Sequence, residues 1–255
     1  MKLNNKFKRL FFDIETSYNV VSSWNVGHDI HISHDNIIKE RAIICICYKW
    51  ENEKTVRSLQ WNKGDDKNML IDFMAIMAQA DEVVGQNSED FDIKWIRTRC
   101  IYHGIPMFPD YQSVDTLKAS RSGFRFNSNR LDYLGKFLGF GGKEETGGFQ
   151  LWKDIVEKNS SSAMAKMIKY CKRDVLLLQK VFTRLKPYIK SKSHVGVITN
   201  KPKTTCPECG SNHTVGRGWL VMASGLQKQR MQCQDCGKYF SLSRSIIDKI
   251  TKKKK

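Results

Sequence analysis

Residues 9–16 read RLFFDIET. A compact apolar run that ends in acids suits a buried strand. Residues two apart on a strand point to the same face, so Asp13 and Glu15 present two carboxylates together at the strand end. No cation in the next few residues neutralises them. Like charges placed together cost stability unless cations bridge them. Hard oxygen ligands of this sort suit Mg²⁺ or Mn²⁺. The plainer alternative is two solvated acids at a strand terminus.

Working outward, Ala42 to Trp50 (AIICICYKW) reads as a second strand and Lys54 to Leu59 as a third, with Glu51-Asn52-Glu53 as the turn of a hairpin. Met69 to Ala80 carries helix formers at apolar spacings of three and four. Glu82 to Val84 is a short strand running into Gly85. Asp90 to His103 is a helix stopped by Gly104 and Pro106. Ser113 to Leu117 reads as a short strand or a strand end, Arg130 to Leu138 as a helix ending at Gly139, and Ser162 to Leu185 as a long helix ending before Pro187. The order predicts an α/β fold with a mixed five-stranded sheet flanked by helices. Five strands are too few for a TIM barrel.

Two further stretches carry acids. Asn87-Ser88-Glu89-Asp90-Phe91-Asp92 opens a helix, where Asp90 suits an N-cap or first-turn position. Asp92 lies beside apolar Phe91 and Ile93; it serves either the helix dipole or a site. On the long helix a four-residue step puts Tyr170 and Asp174 on one face. Leu177, Leu178 and Val181 continue that side, so the pair lies along the margin of the buried stripe. Pairing of Asp174 with Lys172 or Arg173 is the alternative, weakened because those neighbours point elsewhere.

The set FDIET (12–16), NxxxFD (87–92) and YxxxD (170–174), in that order, resembles the three exonuclease motifs of the DEDD superfamily of 3′–5′ exonucleases. The middle motif is most similar to that of the proofreading domains of family B DNA polymerases. The resemblance spans roughly residues 7 to 187. Lys169 stands where the histidine subtype needs His, so Tyr170 marks the tyrosine subtype. The segment Leu131 to Lys143 also resembles small stand-alone phage exonucleases. The resemblance implies a ribonuclease H-like fold and two Mg²⁺ (or Mn²⁺) held by Asp13, Glu15, Asp92 and Asp174. It implies that Tyr170 orients the attacking water and that Thr16, Asn87 and Phe91 touch the 3′-terminal nucleotides. In-line hydrolysis by two cations about 4 Å apart would follow. Asp115 is a candidate supporting residue.

The chain has 255 residues, with 43 Lys+Arg against 26 Asp+Glu, a net of +17. An excess that large points to a polyanionic partner. From Lys190 onward there are 14 Lys+Arg and three acids, so the basic excess concentrates at the C-terminus. There Cys206-x2-Cys209 and Cys233-x2-Cys236 are separated by 23 residues, each pair followed by Gly. This spacing is that of a tetrahedral Zn²⁺ site in a zinc ribbon. With Arg217, Trp219, Lys228, Arg230 and Lys238 around it, the ribbon is expected to contact nucleic acid, or else a protein. Cys45, Cys47, Cys100 and Cys171 read as buried, reduced thiols.

The expected organisation is an exonuclease body over 1–188, a linker over 189–203, a zinc ribbon over 204–246 and a basic tail over 247–255. Weaker candidates are His28, His31 and His34, read as a surface loop; the loop from Gly139 to Gly148, which fails as a P-loop; and the mixture of Trp24, Arg121, Phe124, Arg125 and Phe126, suited equally to stacking on single strands and to core packing. No apolar run approaches the ~18–20 residues of a membrane span, and the N-terminus is not a secretory signal. A cytoplasmic enzyme (host cytoplasm if viral) acting on single-stranded or frayed DNA 3′ ends is therefore expected, with a separate DNA polymerase as a possible partner. The rival readings are an RNA-trimming exoribonuclease and a non-catalytic nucleic-acid-binding adaptor.

Overall fold

A computed structural model describes residues 6–27, 29–107, 110–142 and 147–252. His28, positions 143–146 of the Gly139–Gly148 loop and the end of the basic tail lie outside them. In chain order the elements of the body are β1 (Arg9–Thr16), β2 (Val20–Val21), β3 (Ile37–Lys39), β4 (Ile43–Trp50), β5 (Arg57–Gln60), α1 (Lys67–Met77), β6 (Glu82–Gly85), α2 (Asp92–His103), β7 (Ser113–Asp115), α3 (Thr116–Gly123), α4 (Leu131–Phe137), α5 (Phe149–Val156) and α6 (Ser161–Leu185). After it come α7 (Val195–Ile198), β8 (Thr214–Val221), β9 (Gln227–Cys233), β10 (Tyr239–Ser243) and α8 (Arg244–Lys252).

The five-stranded sheet runs β5-β4-β1-β6-β7. β4 is antiparallel to β1, and β6 and β7 are parallel, so the sheet is mixed as expected. β1 lies at its centre, and its alternation sets the layers. Phe11 meets Phe182 of α6 at 5.4 Å, whereas Phe12 meets Phe73 of α1 at 5.7 Å. By the same period of two, Asp13 and Glu15 share the α6 side with Phe11. Cys47 and Cys45 of β4 stand opposite them in register.

α6 supplies that side with a stripe of Met167, Cys171, Asp174, Val175, Leu178, Val181, Phe182 and Leu185, all buried at helical spacing. Ser160 caps its N-terminus by accepting from the Ala163 N–H. Two sequence expectations need adjustment. The strand expected over Ser113 to Leu117 stops at Asp115, because the Asp115 carboxylate accepts from Leu117 and Lys118 N–H and starts α3 instead. α5, unread in the sequence, follows the glycine-rich loop and buries Leu151 and Ile155 one turn apart.

Beyond α6 the chain turns back on the body. β8, β9 and β10 form a three-stranded antiparallel sheet in the order β10-β9-β8. The junction between this sheet and the body is polar. The buried Arg9 guanidinium donates to Glu82 (2.6 Å), Glu51 (2.8 Å) and Glu208 (2.8 Å), the last from the first cysteine pair. Ser191 also donates to Glu208, at 2.7 Å. Lys186 reaches Glu51 and Glu208 at 3.2 and 3.5 Å. Burial alone would raise Glu51, but Arg9 and Lys186 outweigh it and hold its carboxyl below the ordinary range. Lys238, expected among the cations facing nucleic acid, is 4% exposed and donates to the Lys186 and Ile189 carbonyls. It belongs to this junction, and burial lowers its pKa.

Candidate metal centre

β1 outruns its parallel neighbour. Its register with β6 covers Arg9 to Phe11 only. The Ile14 N–H, past the end of that pairing, donates to the Asp92 carboxylate at 3.1 Å. Asp92 is buried at the first position of α2 and thus binds between the two acids of β1 in sequence. Asp13, Glu15 and Asp174 each offer a carboxylate oxygen within 4.8 Å of the others. Asp174 is 2% exposed, while Asp13 and Glu15 are half-buried, so the cluster has one enclosed and one open side. β1 and α6, distant in sequence, therefore bring three carboxylates to one point, while Asp92 of α2 stands outside that group of three and is tied to the strand through Ile14 N–H. An all-carboxylate donor set of this spacing fits a hard divalent cation.

Cys171, one turn before Val175 on α6, donates to the Asp13 carbonyl and to its carboxylate, both at 3.5 Å. Burial first, then the adjacent Cys45 and Cys47 thiols, hold Cys171 well above its ordinary pKa, so it stays a donor beside the carboxylate. The sequence showed three buried cysteines but not that their sulfurs gather within 4.8 Å behind the site. The i, i+2 spacing of Cys45 and Cys47 on β4 was the available signal.

The loop from Asn87 to Phe91 is held from below. Asp115 accepts from Asn87 N–H at 2.9 Å and Glu89 N–H at 3.2 Å, besides its two bonds to α3. Asp115 is thus the hub that fixes the loop entering α2. Asn87 takes a positive φ of 61°, which Asn tolerates better than most residues. At Gly85 a Cβ would stand 2.3 Å from that of Ser88, so only glycine lets the loop fold back this tightly. Phe91 is half-buried against the core. Asp90, expected as a cap, instead pairs with Lys94 and Lys118; bonds from Lys118 and then Lys94 lower its pKa. Tyr170 is half-buried on α6, one turn before Asp174. Thr16 follows Glu15 at a register shift in β1, and its carbonyl accepts from Trp152 of α5 at 3.0 Å.

The second cluster is at the C-terminus. Cys206, Cys209, Cys233 and Cys236 bring their sulfurs within 4.8 Å of one another, with none in a disulfide. Gly210 and Gly237 take φ of 69° and 74° and return their N–H to the Cys206 and Cys233 carbonyls. Those turns wrap each pair around a common centre, and four thiols in this arrangement fit a tetrahedral soft cation such as Zn²⁺. Trp219 is partly exposed with the Arg244 guanidinium 5.6 Å from its ring centre. Of the histidine stretch, His31 and His34 are exposed, and His34 pairs only with its neighbour Asp35 among the described residues. Trp24 is fully exposed, while Phe124 and Phe126 are half-buried and stacked at 5.1 Å.

No curated protein sequence matches the chain. Among solved structures, the chain is similar to the family B DNA polymerase from the hyperthermophilic archaeon Pyrobaculum calidifontis, at 16% identity and a TM-score of 0.55. The likeness covers 76% of this chain and 26% of the polymerase, so the chain spans about a quarter of that protein. It is the polymerase class named by the sequence motifs, and it supports the fold. A profile of the RNase_H superfamily matches residues 35–186. The match starts after β1, so Asp13 and Glu15 are joined to it by the sheet register and the carboxylate cluster. Running from just before β3 to the end of α6, it takes in more than half of the sequence, and the chain belongs to the RNase_H superfamily.

Proposed function

We propose that the protein is a divalent-metal-dependent 3′–5′ exonuclease of DNA, acting on single-stranded or frayed ends. The observation that carries this reading is the convergence of Asp13, Glu15 and Asp174, with Asp92 anchored to Ile14 N–H beside them. Asp13, Glu15 and Asp174 would hold one Mg²⁺ or Mn²⁺, and Asp13 with Asp92 a second. Cations so held would supply an activated water and would stabilise the leaving 3′-oxygen of a phosphodiester. The chain's own part is positional. Cys171 fixes the Asp13 carboxylate, Ile14 N–H fixes Asp92, and Asp115 fixes the loop whose Asn87 and Phe91 would meet the terminal nucleotides. Tyr170 would orient the water from α6, and Thr16 would contact the last nucleotide from the strand end. The four cysteines would hold one structural Zn²⁺ in a ribbon that assists nucleic-acid binding. A polymerase, if this enzyme proofreads, would be a separate chain. Among the described residues no helix is long and apolar enough to cross a membrane.

The test uses a 5′-labelled DNA strand and its RNA twin with Mg²⁺, Mn²⁺ or EDTA. A metal-dependent ladder shortening from the 3′ end of DNA is expected, with Asp174→Ala slower by at least ~10²-fold. Shortening of RNA alone transfers the reading to an exoribonuclease. Intact strands with retained binding, in folded and zinc-loaded protein, defeat the enzyme altogether.

A further inference from the structure

A groove runs along α3 from Glu89 and Asp115, beside the loop that enters α2, to the four-cysteine module. Its first half is a cavity of about 450 Å³ bounded by Glu89 and Asp115 at one end and by Tyr188, Lys190 and Lys192 at the other. The second half, about 680 Å³, begins at those same residues and ends on Tyr239 and Phe240 of β10. Both volumes lie in the ~300–1,000 Å³ range of ligand sites. The two halves share Tyr188, Ile189, Lys190 and Lys192.

The chemistry of the lining is specific. Tyr188 and Tyr239 are 75% and 56% exposed and so present ring surface to the groove. Phe124 supports Tyr188 from behind in an edge-to-face contact at 6.1 Å, and Phe126 stacks under Phe124. The acids of the groove are already engaged. Glu89 pairs with Lys118 at 3.1 Å, and Asp115 accepts four backbone N–H groups. Lys190 and Lys192 are exposed and form no ion pair among the described residues. They therefore set the sign of the groove. Free cations alternating with exposed rings complement a chain of phosphates and unstacked bases.

We propose that this groove is the track for a single nucleic-acid strand, whose 3′ end leaves it past the Asn87–Phe91 loop toward the carboxylate cluster and whose upstream nucleotides pass over Tyr188 and on to Tyr239 of the four-cysteine module. The nuclease reading supplies only the direction of the strand; the groove itself stands on its lining. Because the groove passes Ser191 and Lys238 of the polar junction and ends on β10, the module extends the grip on substrate by several nucleotides. A strand of only two or three nucleotides would gain nothing from it.

The experiment uses the full chain, zinc-loaded, and a 15-nucleotide strand with phosphorothioate 3′ linkages and no added Mg²⁺ or Mn²⁺. Anisotropy reads binding against salt. Lys190→Gln with Lys192→Gln is expected to weaken binding about tenfold and lower the salt slope by ~1.4, the share of two phosphate contacts on a single strand. Tyr188→Ala with Tyr239→Ala is expected to weaken it five-fold or more, with the slope unchanged. In parallel, Mn²⁺-dependent hydrolysis of the p-nitrophenyl ester of thymidine 5′-monophosphate, which reaches only the metal centre, stays within twofold of wild type. Unchanged affinity and slope in both variants overturn the groove, as does a wild type that fails to bind the 15-mer at low salt. Loss of strand binding in the variants of a protein that never hydrolyses the ester keeps the groove and removes the nuclease reading instead.

Discussion

Between Leu10 and Leu185 the body closes one apolar core to which β1, β4 and α6 contribute fully enclosed side chains, whereas from residue 204 to 246 the buried apolar residues are Cys206, Cys233 and Leu242. β8 is exposed along most of its length. The body is thus held by the removal of apolar surface from water, at roughly 25 cal/mol per Å². The module has too little such surface and depends on strand pairing, on whatever fills its four thiols and on the Arg9–Glu208 junction. Two neighbouring parts of one chain should therefore respond to different insults.

The largest contrast should come from Cys206→Ser. Cation binding to such a site is worth on the order of 10–16 kcal/mol. Amides of β8 and β9 should lose hydrogen-exchange protection while those of β1 and β4 keep it; a protected β9 in the cation-free variant would mean that the thiols do not hold the module. The reverse experiment is Phe182→Ala. This ring is buried against Phe11, and its removal should cost the body ~3–5 kcal/mol in urea unfolding, with Co²⁺ absorption at the four-cysteine site unchanged.

Asp66→Asn asks what the body owes to a buried charge. Asp66 accepts two bonds from Arg99 at 2.8 Å, one from Ile43 N–H and one from His103. Burial raises its pKa, yet the Arg99 and Ile43 bonds win and hold the folded value below the ordinary 3.8. The stabilisation is therefore complete above 3.8 and disappears as the pH falls below it through the folded value. The variant should lose ~3 kcal/mol near neutrality and show less of the acid-limb decline in urea midpoint. A decline as steep as that of wild type would assign the limb to other carboxylates. Glu208→Gln should have the smallest effect, ~1–3 kcal/mol, because Arg9 retains Glu51 and Glu82. It should lower the melting of module and body together; a shift confined to the module would show the junction to be passive.

Most of the sheet was legible because it rests on local periodicity, whereas the meeting of Asp174 with the two acids of β1 was implied by the resemblance of the three motifs. β1 announces two acids on one face, and the order of strands and helices leaves few topologies that bring α6 over them. What escaped depends on contacts between distant residues. Thr116 and Leu117 have strand-like neighbours, but the Asp115 side chain turns them into a helix. The meeting of Cys45 and Cys47 with Cys171 needs the packing of α6 on β4. Lys238 looked like one more cation on a basic module, yet its partners lie 49 and 52 residues earlier, and Arg9 finds Glu208 across 199. Charge composition reveals that such groups exist but not which of them face inward.

Arg9 and Glu15 stand six residues apart on β1, roughly 20 Å of extended chain. One strand is thus anchored to the module at its first residue and bears candidate metal ligands near its last. Cutting the gene after residue 188 would take away Glu208, Ser191 and Lys238 together and flood a sealed charge network with solvent. The excised body would carry a scar at the foot of its central strand. Any activity it showed would describe a damaged body, and a comparison of long and short versions would confuse the proposed grip of the module on nucleic acid with a loosened scaffold unless Arg9 were repaired first.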